Sequence, residues 1–210
     1  MLSKWSNSLA LVIALSLIST SSQLVNDPFI DDLMKRMTIE DKCGQMTQIT
    51  LDTITRCKPE CIYQTSDGFP GGCTCPVYDD SNPINITKLN EAIGTFRVGS
   101  ILNTAYDRAQ KASIWQDIIK QLQDTAMKNP VQIPILYGLD SIHGANYIQE
   151  ATLFPQPIAM AASFNLDIAE QVGAITSMET RAAGVPWNFN PVLDIGRQFL
   201  WPRLVFNFVF

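Results

Sequence analysis

Apolar residues recur along this chain in two rhythms, one helical and one in short runs. After Asp27-Pro28, an N-cap residue followed by a proline suited to a first helical turn, Ile30, Leu33, Met34 and Met37 repeat every three or four positions. Thr38 to Asp41, "TIED", has the form of a capping box with aspartate in place of glutamate, and opens a second short helix through Met46. Ile114, Trp115, Ile118, Ile119, Leu122 and Met127 fall on one face of a helix over about 107–128, and a further long helix is expected over 166–183. Three short apolar runs read as buried strands: "VGSILN" (98–103), "QIPILYG" (132–138) and 187–194, the last irregular because of Pro191.

Strand, long helix, strand, loop, long helix, strand is the order of an α/β fold with a parallel sheet and helices packed outside it. An open doubly wound sheet and a closed barrel both fit. Either places its working residues at the carboxyl ends of the strands. No G-x-G-x-x-G follows a strand, so no dinucleotide site and no cofactor is expected. Three strands in 210 residues are too few for a closed eight-fold barrel, which takes roughly 250 residues. The apolar run Leu204 to Phe210, "LVFNFVF", reads as a segment that a complete protein buries beneath further chain.

Composition narrows the function. Apolar residues make up 46% and charged residues 17%, which is ordinary globular composition. The net charge is −5 with no Lys/Arg cluster, which excludes nucleic acid and anionic lipid as expected partners. Lys4, the apolar run Leu9 to Ile18 and "STSSQ" read as an export signal over 1–22, leaving 23–210 as one domain with no further membrane span. Cys57, Cys61, Cys73 and Cys75 lie in a Pro- and Gly-rich insert at about 51–80. In an oxidising compartment they read as two disulfides of open connectivity rather than a zinc site, and no metal is expected. Cys43 is left over and is expected to be a buried free thiol. Asn85-Ile86-Thr87 is a glycosylation acceptor for an exported chain. The destination is secretion, or a lysosomal or vacuolar compartment.

Candidate chemistry gathers in "IPILYGLDSIHGA", 133–145, where a strand stops and Asp140 and the sole histidine, His143, follow. Asp140 either caps a local turn or accepts hydrogen bonds from ligand hydroxyls. His143 is expected to be structural support. Arg197 and Arg203 flank "QFLWP", and either is able to grip oxygen ligands or form a surface ion pair. Glu179 and Arg181 are expected to pair. Trp187 and Trp201 are sugar-stacking platforms or core. There is no Gly-x-Ser-x-Gly, and no motif sets a nucleophile beside the histidine. The residues by themselves define a polar mouth and no reaction.

Several stretches together resemble glycoside hydrolase family 3, the β-glucosidase group: "LMKRMTIEDKCGQMTQ", "VGSILN", "IPILYGLDSIHGANYIQEATLFPQPIAMAASFNLDIAEQVG", "ETRAAGVPWNFNPVLDIGR" and "WPR", in the family's order over roughly 28–203. The resemblance implies a (β/α)8-like barrel, present here as its first strand–helix units. It also implies a retaining, exo-acting hydrolysis of terminal β-D-glucosyl units from a β-glucoside or β-glucan oligosaccharide. Asp140 matches an aspartate that holds sugar hydroxyls, Arg203 an arginine on the same sugar, and His143 an in-motif histidine. Where the family usually reads Gly-Arg-Asp-Pro, this chain has Gly196-Arg197-Gln198-Phe199. The family's nucleophilic aspartate and acid/base glutamate match no position here. The chain is therefore expected to be a fragment without its own catalysis, or a non-catalytic sugar-binding or degenerate protein.

Overall fold

A computed structural model describes residues 27–56, 62–64, 70–73, 81–105, 108–193, 197 and 200. The chain divides into two compact units, 1–39 and 40–210. In the first, helix α1 (Pro28–Arg36) starts as expected: the Asp27 carboxylate accepts from the Phe29 amide at 2.9 Å, with proline in the first turn. Arg36 pairs with Asp32 one turn back at 3.0 Å.

The second unit carries a four-stranded parallel sheet, in the order β1 (Gln48–Thr50), β4 (Ser100–Leu102), β5 (Leu136–Leu139) and β6 (Trp187–Asn188). An antiparallel hairpin, β2 (Ile62–Gln64) and β3 (Pro70–Cys73), lies between β1 and β4 in sequence. The helices are α2 (Ile39–Gln45), α3 (Ile86–Leu89) running on into a wider turn at Asn90–Thr95, α4 (Ala112–Ala126), α5 (Pro157–Ala161) and α6 (Leu166–Ala182). The strand–helix alternation is that of a partial α/β barrel, as expected.

Packing follows from the register. Ile49, Ile101 and Tyr137 are aligned across β1, β4 and β5. Against them lies the apolar stripe of α4, with Trp115, Ile118 and Leu122 fully buried. The other row, Leu102–Gly138–Trp187, belongs to the opposite face. There a Cβ on Gly138 would come within 2.3 Å of the Phe189 ring, so only glycine fits under the edge-to-face pair of Trp187 and Phe189 (centroids 4.6 Å apart).

Two expectations are corrected. The strand predicted over 187–194 is two residues long. The Asn188 side chain bonds the backbone N–H of Ser141 and of Asn190, each at 3.2 Å, and that local bonding ends the strand. Cys43 is a free thiol but exposed, not buried. The residues that α2 buries are Asp41 and Gly44. Asp41 pairs with Arg97, and a Cβ on Gly44 would stand 2.3 Å from the Arg97 carbonyl oxygen. The inward side of this short helix is thus polar and small, which turns the apolar-looking side outward.

Tyr137 is wholly buried, its hydroxyl donating to the carbonyl of Asn103. Burial pushes its phenol well above the ordinary 10.0, and the Asp52 carboxylate adds to the rise. The neutral phenol is the form the fold stabilises. That contribution is therefore complete below about pH 10, the unfolded value, and is lost as pH climbs from there toward the folded value. Urea titrations of the wild type should show stability falling above pH 10, and Tyr137→Phe should flatten that slope. An unchanged slope would mean that the phenol ionises as freely in the fold as in water.

Candidate functional site

Four parallel strands bring four carboxyl ends to one edge of the sheet. At β5 the chain leaves the sheet after Leu139, so Asp140 is the first residue beyond the strand, and it is half-buried. Continuing the strand's alternation carries Asp140 to the Gly138 face, the one that bears Trp187 and Phe189. At β4, Asn103 takes a left-handed conformation (φ 65°) and its amide donates to Gly138 at 3.0 Å. At β6, Phe189 donates from its amide to Leu139 at 3.1 Å. Asp140, Asn103, Asn188 and Asn190 thus gather at one rim.

The loop after Asp140 is held at many points. The Gly144 carbonyl accepts from the Asn146 amide at 2.8 Å, and Phe154 donates to the carbonyl of His143 at 2.8 Å. Set by the acceptors around it, the Asn146 side chain donates to the carbonyls of Gly144 (3.0 Å) and Asp140 (3.1 Å). Gly144 has φ +96°, and a Cβ there would lie 2.0 Å from the Thr152 oxygen. From outside, α6 clasps the loop twice. Glu179 accepts from the Thr152 amide (3.0 Å) and hydroxyl (2.9 Å), and Thr180 donates to the buried Ser141 hydroxyl at 2.9 Å. The expectation that Glu179 pairs with Arg181 is corrected accordingly: the carboxylate is turned to the loop, where the Thr152 amide and hydroxyl donate to it.

The other candidates are distributed around this rim and beyond it. His143 is half-buried in the same loop, three residues past Asp140. Arg197 is exposed. Arg203 and Trp201 lie outside the described residues, as do Cys57, Cys61 and Cys75. Cys73 ends β3, and nothing is described of its side chain. Trp187 is partly open at the rim, 38% exposed. Asn85 caps α3, its Oδ1 accepting from Thr87 (3.0 Å) and Lys88 (3.2 Å).

Sequence reasoning missed Asn103 and Asn190. Each has a buried side-chain oxygen without a partner among the described residues. Both oxygens are closed to solvent, and each is an acceptor that an O–H donor brought to the rim would satisfy. The available signal was an asparagine at the end of an apolar run, a residue that tolerates left-handed backbone. A cavity of about 290 Å³ also opens beside the rim, between Ile142, Pro157, Met160, Val172 and Asn190. Its walls are mainly apolar; it shares Asn188 and Asn190 with the rim, and Asp140 is not among its lining.

Residues 38–208 match the Glycosyl hydrolase family 3 N terminal domain. The chain belongs to this family. It is 38% identical over 190 residues to a lysosomal beta glucosidase of Dictyostelium discoideum, covering 87% of this chain and 20% of that protein. It is 27% identical to a periplasmic beta-glucosidase of Salmonella typhimurium, covering 84% and 18%. The chain thus spans about a fifth of the length of the curated relatives it matches. Solved structures share the fold. An exo-1,3/1,4-beta-glucanase from a Pseudoalteromonas species superposes with TM-score 0.62 at 24% identity, over 86% of this chain and 19% of that one. A mutant beta-glucosidase from Listeria innocua, in complex with laminaribiose, gives 0.54 at 21%, over 88% and 21%. Family membership makes the (β/α)8-type architecture of this sheet firm, and the family 3 resemblance of "IPILYGLDSIHGA" is borne out at the level of the family. Among the described residues no helix is long and apolar enough to cross a membrane.

Proposed function

We propose that this family 3 chain forms the sugar-holding part of a retaining, exo-acting β-glucosidase, which removes terminal β-D-glucosyl units from a β-glucoside or β-glucan oligosaccharide. The observation that carries the reading is the position of Asp140, first beyond β5, at a rim where Asn103 and Asn190 hold buried side-chain oxygens without partners among the described residues. In this proposal the Asp140 carboxylate accepts two sugar hydroxyls, and Arg203, by its match to "WPR", donates to the same ring. Both sets of bonds are charge-assisted, which makes them roughly twice as strong as neutral ones. His143 supports the loop, and Arg197 stands near the same segment. Retaining hydrolysis needs two carboxyl groups about 5–5.5 Å apart. By the family resemblance, the nucleophilic aspartate and the acid/base glutamate match no position in these 210 residues. A secreted or lysosomal-type destination agrees with the lysosomal and periplasmic names of the two relatives.

The test is calorimetric titration of the purified chain with glucose and with laminaribiose. The wild type should give saturable heat. Asp140→Ala should weaken binding at least tenfold, the loss of about 1.4 kcal/mol or more that a charge-assisted contact implies. No heat from a folded wild-type chain would remove the reading. The second reading, a sugar-binding protein that never joins a catalytic partner, is favoured by Gln198-Phe199 where the family's Asp-Pro is usual. It requires that adding the remaining family domains restores no hydrolysis of an aryl β-glucoside.

A further inference from the structure

Asn85 has two chemically distinct ends, and the fold uses only one of them for its cap. Oδ1 accepts from the amides of Thr87 and Lys88 and so starts α3. The cap is itself anchored, since the Asn85 amide donates to the Ile54 carbonyl at 2.9 Å and Ile84 forms a bridge with Thr55. These contacts hold the segment to the body on its backbone side. Ile86 and Thr87 are exposed, Ile86 with 55% of its surface in water, while the Lys88 ammonium reaches back to the Thr55 carbonyl at 3.4 Å. Asn85-Ile86-Thr87 is also the only Asn-x-Ser/Thr sequence in the chain without proline at its centre.

We propose that Asn85 carries an N-linked glycan on Nδ2 while Oδ1 of the same side chain caps α3. The donor is a polyprenyl-diphosphate-linked oligosaccharide of the secretory lumen. Nδ2 bonds to the anomeric carbon, the carbon–oxygen bond to the diphosphate breaks, the diphosphate leaves with that electron pair, and the amide gives up one proton. The product is still an amide, so its carbonyl oxygen still accepts. The side chain therefore accommodates the glycan without losing the helix start, and the glycan projects from the exposed side, away from the bonds to Ile54 and Thr55. The proposal rests on the export part of the proposed function.

The experiment expresses the full chain in a eukaryotic secretory host. Glycan removal by peptide N-glycosidase in ¹⁸O-water is followed by mass spectrometry of the peptide containing residue 85. The wild type should show ¹⁸O-labelled aspartate at position 85 and a mobility shift on treatment. Thr87→Ala should lose both with its cap intact, and Thr87→Ser should keep both. Asn85→Asp should lose the glycan yet unfold at the same denaturant concentration as the enzyme-treated wild type, because the carboxylate also caps. Asn85→Gln should lose the glycan and unfold earlier than Asn85→Asp. A chain recovered from the lumen or medium with unmodified Asn85 would overturn the glycan alone. A chain found only in the cytosol would overturn both the glycan and the export reading.

Discussion

Trp115→Ala should destabilise this domain by about 3–5 kcal/mol, the usual cost of emptying a fully buried aromatic site. Trp115 is completely enclosed. Its ring meets Tyr137 edge-on with centroids 5.8 Å apart, and Nε1 donates to the Tyr147 carbonyl at 2.8 Å. One side chain therefore joins α4, β5 and the loop beyond the rim. Domains of this size are stable by only about 5–15 kcal/mol, so the variant should sit near the edge of folding. In urea, with a slope of about 2 kcal/mol per M, the midpoint should drop by about 2 M. Trp115→Phe keeps the aromatic contact and loses the Nε1 bond. Its cost should be smaller, with the Tyr147 oxygen still accepting from Gln110 at 3.0 Å. A shift below about 0.5 M for the alanine variant would mean that the core repacks around the gap.

Gly144→Ala should cost about 3 kcal/mol, and it should act on the rim as well as on stability. The added methyl would stand 2.0 Å from the Thr152 oxygen, at a φ of +96° where side chains are strained whatever the space. Backbone must move, and both strands of the contact belong to the loop that starts at Asp140. Through Asn146, which bonds the carbonyls of Gly144 and Asp140, the displacement reaches the Asp140 backbone. Hydrogen exchange should quicken across about 140–154 while α4 stays protected, and glucose binding should weaken. If exchange quickens uniformly, the glycine is a general stability position and not a fixture of the rim.

The parts of this fold legible in the sequence are those with long, regular patterns. The α4 stripe from Ile114 to Leu122 and the run into β5 are both readable, because buried parallel strands and amphipathic helices repeat their signals over many residues. β1 is not. Its three residues contain one apolar side chain, Ile49, and it borders the sheet, where little burial is imposed. α3 and the wider turn after it also escape the pattern, although Leu89, Ala92 and Ile93 have helical spacing. The asparagine that caps this helix reads, in sequence, as a modification signal alone. The third strand is expected too long because a side-chain bond from Asn188, invisible in a hydropathy pattern, closes it early.

At the site, the place of Asp140 just beyond β5 is legible because the buried run ends at Leu139, whereas its role is not, since the same pattern fits a turn cap. The clasp from α6 is not. Glu179 reads along the helix as a partner for Arg181, and only the fold brings Thr152 beside it. Asn103 and Asn190 stand out through side-chain oxygens without partners among the described residues, and an unsatisfied atom leaves no trace in a one-dimensional pattern.

The most direct trial is a crystal of the chain soaked in glucose. The account predicts a pyranose at the carboxyl edge of β5, with two of its hydroxyls about 2.5–3.0 Å from the Asp140 carboxylate oxygens and the Asn103 or Asn190 oxygens accepting others. An ordered glucose elsewhere, with the Asp140 side chain turned onto its own loop's amides, would contradict it.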